Sequence, residues 1–127
     1  MSLMISYLSQ MKPRVSRILL SRLKNAVLGT HYSLSVVFSS SSHLRRLNSE
    51  YRKRDTPTDI LSFPLSKTEG EILISTAAAR REAIKFGRPF DNFLLFLLIH
   101  GFFHLKGMKH GSRMEREEEK FRRRFNI

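Results

Sequence analysis

The chain alternates short apolar runs with longer stretches in which apolar residues recur at helical spacing. "LMISYL" at 3–8 and "YSLSVVF" at 32–38 read as strands. Between them, Pro13 opens a helix to about Leu28, with Val15, Ile18, Leu19, Leu23 and Val27 on one stripe and Gly29 as its stop. "SSSS" at 39–42 is a strand-to-helix turn, and 42–52 form a short helix with Leu44 and Leu47 inward and Arg45 and Arg46 outward. "TDILSFPL" at 58–65 is a third strand, ended by Pro64. "GEILIS" at 70–75 is a fourth, close enough to make an antiparallel hairpin. Ser75 or Thr76 caps a helix running to Gly87. A very apolar helix follows over about 91–105, with Gly107 as its stop. Ser112 and Glu115 make a capping box for the last helix. This order predicts one α+β domain over residues 1–127: a small mixed sheet of about four strands packed against about five helices.

Composition narrows the class. Hydrophobic residues make up 41% of the 127, enough for a core. There is no cysteine, so disulfides and thiolate metal sites are excluded, and a metal here must use His, Asp or Glu. The net charge of +12 exceeds the roughly 2–8 that solubility asks of a small domain, and it points to an acidic partner, nucleic acid above all. The most apolar run, "FLLFLLI" at 93–99, is far shorter than the roughly 20 residues of a membrane span and leads straight into a histidine. No membrane association is expected. The cytoplasm is the expected compartment. The absence of Asp and Glu before Glu50 resembles a transit peptide and keeps a mitochondrion or other organelle as the alternative.

The chemistry concentrates in "HGFFHLKGMKH" at 100–110. His100 and His104 lie one turn apart on one helix face. The chain then turns at Gly107, and His110 can swing back as a third ligand. Three ligands with an open fourth position describe a catalytic zinc rather than a structural one, and such a metal lowers the pKa of a bound water to about 7. Gly101 stands where a zincin protease has its general-base glutamate, which disfavours that mechanism. His31 and His43 have no such arrangement and read as surface or turn residues.

These motifs resemble those of the YbeY family of endoribonucleases that mature ribosomal RNA. "HGFFHLKGMKHG" is similar to its H-G-x-x-H-L-x-G-x-x-H signature. "LNSEYRKRDTPTDILSFP" at 47–64 and "GEILIS" match two further blocks in family order. The resemblance implies a small α+β hydrolase of zinc-metalloprotease-like architecture, with one Zn2+ on His100, His104 and His110. It implies ribosomal RNA and the ribosome as partners, single-stranded RNA as substrate, and a role in maturing the 3′ end of 16S-type rRNA and in ribosome quality control. Arg52 carries over as the basic substrate-contact residue. Met108-Lys109 stand where bacterial members usually have Tyr-Asp, Glu71 replaces an Asp, and the connection between strands three and four is short.

Arg52 is the expected phosphate contact, because a guanidinium binds two phosphate oxygens and stabilises developing charge. Its neighbours Lys53 and Arg54, with Arg80, Arg81, Lys85 and Arg88, are candidates to line an RNA path. Asp55 reads as a turn former. Asp59 reads equally as a turn residue or as a carboxylate orienting a ligand or a water. Thr58 reads as structural, and Phe63 and Pro64 as pocket wall. Glu71, Asp59 and a zinc-bound hydroxide are the candidate general bases. In the tail, Glu118–Arg122 and Glu119–Arg123 are expected ion pairs at i, i+4, with RNA contact by Arg122 to Arg124 as a lesser role. The sequence thus predicts a zinc-dependent endoribonuclease. The alternatives are a ribosome-associated RNA-binding factor with a structural metal, or a metal hydrolase acting on a peptide or small phosphoester.

Overall fold

In a computed structural model of the protein, the described residues are 2–9, 12–52 and 58–127, without the side chains of Ser2 and Arg52. Four strands, β1 (Ser2–Tyr7), β2 (Ser33–Ser39), β3 (Ile60–Ser66) and β4 (Glu69–Ser75), form one sheet in the order β1-β2-β4-β3. β1 and β4 run parallel to β2, and β3 pairs antiparallel with β4 through a tight connection. Five helices accompany the sheet: α1 (Arg17–Leu28), α2 (Ser41–Arg52), α3 (Thr76–Lys85), α4 (Phe90–Leu105) and α5 (Ser112–Phe125). The expected mixed sheet and α+β class are therefore observed.

The period of two along the strands divides the core. Leu34, Val36, Phe38, Ile72 and Ile74 share one large cluster with Leu20, Leu23 and Val27 of α1 and the apolar side chains of α4. Val37, Leu61 and Leu73 face the other way, onto Leu44 of α2. α4 is apolar nearly all round because it is enclosed, packing on β3 and β4 and against α1, α3 and α5. Among the described residues, no helix is long and apolar enough to cross a membrane.

Several element ends differ from the sequence reading. α1 begins at Arg17 rather than Pro13, because the Ser16 hydroxyl accepts a hydrogen bond from the Leu19 amide at 3.2 Å and caps the helix there. Leu20 is completely buried, whereas Ile18 turns outward, 78% exposed. β3 continues past Pro64 to Ser66, with an irregularity between Pro64 and Ser66. Proline is tolerated because β3 is an edge strand, where a missing amide hydrogen leaves no neighbouring strand unpaired. The expected Ser112–Glu115 capping box does not form: Gly111 occupies the N-cap, and Ser112 is already inside α5. Ser75, by contrast, caps α3 through the Ala78 amide at 3.1 Å.

Candidate metal centre

Three elements build the site: the C-terminal half of α4, the turn after it, and the buried face of α5. His100 and His104 are partly exposed positions on the otherwise enclosed α4. Their rings stand perpendicular at 88°, with Nε2 to Nε2 at 3.1 Å. Gly107 takes φ +100 and reverses the chain after the helix, a conformation that glycine adopts without strain. The His110 ring then comes within 4.4 Å of the His104 ring and 5.2 Å of the His100 ring. One nitrogen from each of the three histidines lies within 4.8 Å of the others.

This donor set fits a metal ion. With zinc–nitrogen bonds of about 2.0–2.1 Å, two tetrahedral ligands lie about 3.3 Å apart, close to the observed Nε2 pair. His110 is exposed and free to draw in as the third. The His104 imidazole is also kept in the form that binds cations. Burial holds the pKa of His104 below its ordinary value, and the neighbouring His100 and His110 lower it further; hydrogen bonding to the Met108 backbone and the charge of Glu118 act weakly in the opposite direction.

The acid that completes the centre comes from α5. Glu118 is only 5% exposed, and its Oε1 and Oε2 lie 3.1 and 3.0 Å from His100 Nδ1. A carboxylate can only accept, so Nδ1 carries the hydrogen and Nε2 presents its lone pair. Such a carboxylate–histidine pair fixes the tautomer and orientation of a ligand. The tail reading anticipated the Glu118–Arg122 pair (3.8 Å) and the Glu119–Arg123 pair (2.6 Å), but not this contact with His100. A signal was present. Met114, Glu118, Phe121 and Phe125 recur at helical spacing, so the acid sits within the buried stripe of α5.

Gly101 allows α4 to lie on the sheet. A Cβ there would stand 2.9 Å from Ile72 Cδ1, 3.1 Å from Ser62 Oγ and 3.2 Å from Ile60 Cδ1. The glycine therefore admits neighbouring protein closely.

The histidines open onto a cleft of about 1150 Å³, shared by Asp59, Ser62 and Pro64 on β3 and its approach, Phe86, Phe93 and Phe96 on α3 and α4, and Arg122 on α5. Asp59 faces this cleft, and burial raises its carboxyl above the usual aspartate range; Glu82 adds to the rise, while hydrogen bonds from its own backbone and that of Ile60, and the charge of His100, oppose it. Glu71 does not line it. It alternates with Ile72, whose side chain meets α4, so Glu71 points to the opposite face of the sheet and is discarded as a base. Phe63 likewise turns away, packing edge-on against Tyr51 at 6.2 Å, so Pro64 alone of that pair forms cleft wall. Thr58 also lines the cleft, and its hydroxyl donates to the Ile60 carbonyl at 2.9 Å.

The basic residues are dispersed. Arg80 lies over the Phe90 ring at 4.3 Å, Lys85 pairs with Glu82 at 3.2 Å, and Arg81 is exposed; none of the three lines the cleft. The side chain of Arg52, and Lys53, Arg54 and Asp55, lie outside the described residues. His43 meets the buried Ser39 hydroxyl at 2.6 Å and His31 is exposed, both apart from the metal centre. Of the Met108-Lys109 pair, Met108 packs against the core and Lys109 is exposed beside His110.

Residues 5–126 match the family model for the endoribonuclease YbeY. The chain is 40% identical over 95 residues to the endoribonuclease YbeY of Rhodopseudomonas palustris, covering 67% of this chain and 50% of that protein. It is 36% identical over 108 residues to that of Sinorhizobium medicae, covering 74% and 64%, and 40% identical over 95 residues to that of Aquifex aeolicus, covering 70% and 63%. The chain thus spans about half to just under two-thirds of the length of these relatives. The solution structure of TM1509 from Thermotoga maritima superposes with a TM-score of 0.60 at 26% identity, over 94% of this chain and 85% of that one. The three-histidine motif, the sheet and helices that carry it, and a family match running nearly end to end agree that the chain belongs to the YbeY family.

Proposed function

We propose that the chain is a single domain over residues 1–127 that acts as a zinc-dependent endoribonuclease on single-stranded RNA, in ribosomal RNA maturation. The observation that carries this is the His100–His104–His110 cluster with Glu118 locked behind it, opening onto a cleft in a chain of net charge +12. A closed structural site would bury all its ligands, whereas His110 is exposed at the cleft mouth. Family relatives named endoribonuclease support RNA as the substrate.

Zinc held there supplies Lewis-acid chemistry, acidifying water and neutralising phosphoryl oxygens. The chain's own groups do the rest. Glu118 holds the His100 Nδ1 proton and so orients the ring. Asp59, with its raised proton affinity and its place in the cleft, accepts a proton from the attacking water. Arg122 meets a phosphate from the cleft wall and Arg52 meets one from the end of α2.

Metal analysis of the purified protein is expected to give about one zinc per chain, lost in His104→Ala. Single-stranded RNA should be cleaved by the loaded protein and spared in the presence of a chelator. Cleavage that survives His100→Ala would assign the activity to a contaminant. RNA binding without cleavage, with metal retained, would favour the ribosome-associated binding factor.

A further inference from the structure

Phe86 is a large apolar side chain left in the open, 59% exposed, yet it lines the same cleft as the three histidines. Other exposed apolar residues, such as Ile18 and Ile84, do not line it, and scattered exposure of that kind needs no explanation. The Phe86 ring is also held in place. It stacks on the buried Phe93 at 5.4 Å and 27°, and tilts against Phe96 at 6.1 Å. Phe93 and Phe96 stack in turn at 5.6 Å and 13°, so the exposed ring caps a three-ring cluster and presents an outer surface to the cleft.

Cations frame this cluster. The guanidinium groups of Arg88 and Arg122 each lie over the Phe96 ring, 4.6 Å from its centre. Arg88 is braced by a 2.5 Å hydrogen bond to Asn92, and Arg122 by Glu118 at 3.8 Å. Arg122 lines the cleft as Phe86 does. A fixed aromatic surface beside a fixed guanidinium matches the two halves of a nucleotide: the base stacks on the ring and the phosphate meets the cation.

We infer that Phe86 is a base-stacking platform in the cleft and that Arg122 beside it takes a backbone phosphate of the same single strand. This rests on the proposal that RNA occupies the cleft. It adds a consequence, that recognition is tolerant of sequence because every base has a π face, and it supplies a physical reason for the single-stranded substrate already proposed, because a base within a duplex cannot stack on a protein ring.

The chain contains no tryptophan, so Phe86→Trp introduces a single tryptophan at the platform, excited selectively over the three tyrosines. The protein is titrated with single-stranded oligoadenylate in the presence of a chelator, so that binding is read whether or not cleavage occurs. A saturating quench is expected in Phe86→Trp and none in Ile84→Trp, and an abasic oligomer of equal length should leave both unchanged. Phe86→Ala and Phe86→Leu should each weaken oligoadenylate binding by about 5- to 150-fold, the leucine variant keeping the apolar bulk while losing the flat face. Arg122→Gln should reduce the slope of log affinity against log salt by about 0.7. Unmoved Phe86→Trp emission at saturation, or wild-type affinity in Phe86→Leu, would overturn the platform. Binding and quenching without cleavage in the zinc-loaded protein would sink the nuclease reading and leave the platform standing. No binding of oligoadenylate by the wild type would sink both.

Discussion

Glu118 offers a severe test of the metal centre, because its removal should weaken the metal while leaving the fold standing. In Glu118→Leu the metal-free protein loses a 5%-exposed carboxylate whose oxygens lie 3.1 and 3.0 Å from His100 Nδ1. A hydrogen bond to a charged group contributes about 1.5–3 kcal/mol. Burying that charge costs a comparable amount, but removing it leaves the His100 Nδ1 donor without its acceptor and Arg122 without its pair, and an unsatisfied buried donor costs about 1–3 kcal/mol. Leucine would sit in the same stripe as Met114 and Phe121 and recover part of this, so the metal-free protein should lose no more than about 3 kcal/mol. Metal affinity has no such compensation. Without the acceptor, the His100 proton is free to move to Nε2, and the lone pair that faces His104 is lost. Removing an outer partner of a ligand histidine weakens binding about 10- to 100-fold, or about 1.4–2.8 kcal/mol. Glu118→Gln keeps one acceptor oxygen and should fall near the lower end. Competition against a chromophoric chelator at neutral pH gives the affinity, and urea unfolding of the chelated protein gives the stability. Wild-type zinc affinity in Glu118→Leu would refute the reasoning. So would a loss of fold stability above about 3 kcal/mol, since the affinity change would then report only a damaged scaffold.

Other perturbations probe neighbouring parts of the argument. Gly101→Val should cost about 1–3 kcal/mol by overpacking, because Ile72, wholly buried, cannot swing clear of a new Cβ at 2.9 Å; urea unfolding checks this, and unchanged stability would mean that α4 has room to lift from the sheet. Ile18→Ser should alter stability by no more than about 0.5 kcal/mol in thermal unfolding, despite the helical spacing that nominates Ile18 for the core. Asp59→Asn should stabilise at neutral pH. The folded protein keeps the Asp59 proton to a higher pH than the unfolded chain, whose aspartate titrates near 3.8, so the folded state loses stability as pH rises from that value through the raised one. The gain from Asn should therefore vanish in unfolding measured below about 3.8, and a gain that persists there would assign the effect to packing.

The sequence was legible where local rules and tertiary needs coincide. His100 and His104 declare themselves because a four-residue interval on a helix fixes their separation, and Gly107 declares the turn because a left-handed residue there costs glycine little. The hairpin of β3 and β4 follows from two strand patterns with almost nothing between them. Errors arose where a local rule was satisfied by something else. Pro13 suits a helix start, but Ser16 caps the helix farther on, and Leu20 rather than Ile18 joins Leu23 and Val27 in the core. Ser112 and Glu115 have the capping spacing, yet the chain enters α5 from Gly111, leaving the serine one residue too deep. Glu71 matches a motif position, but the period of two puts it across the sheet from the histidines.

Glu118 shows how a sequence can contain an answer that pairwise rules hide. In "EREEEK" every acid has a base within a turn or so, and pairing at i, i+4 accounts for Glu118 and Glu119 alike. The pairs are not alike. Glu119 is exposed beside Arg123 at 2.6 Å, as a surface pair should be, whereas Glu118 stands in phase with Met114, Phe121 and Phe125 and is buried, as Met114 is. An acid in that phase needs partners that reach the buried face, because burying a charge demands pairing there. The other buried face nearby belongs to α4, where polar side chains are few and His100 is one of them. The phase of one glutamate against the apolar stripe of α5 therefore points to the same histidine that the H-x-x-x-H spacing identifies independently. Two unrelated periodicities converging on one ring argue that α5 is part of the metal centre, and that His100 is oriented from outside its own helix.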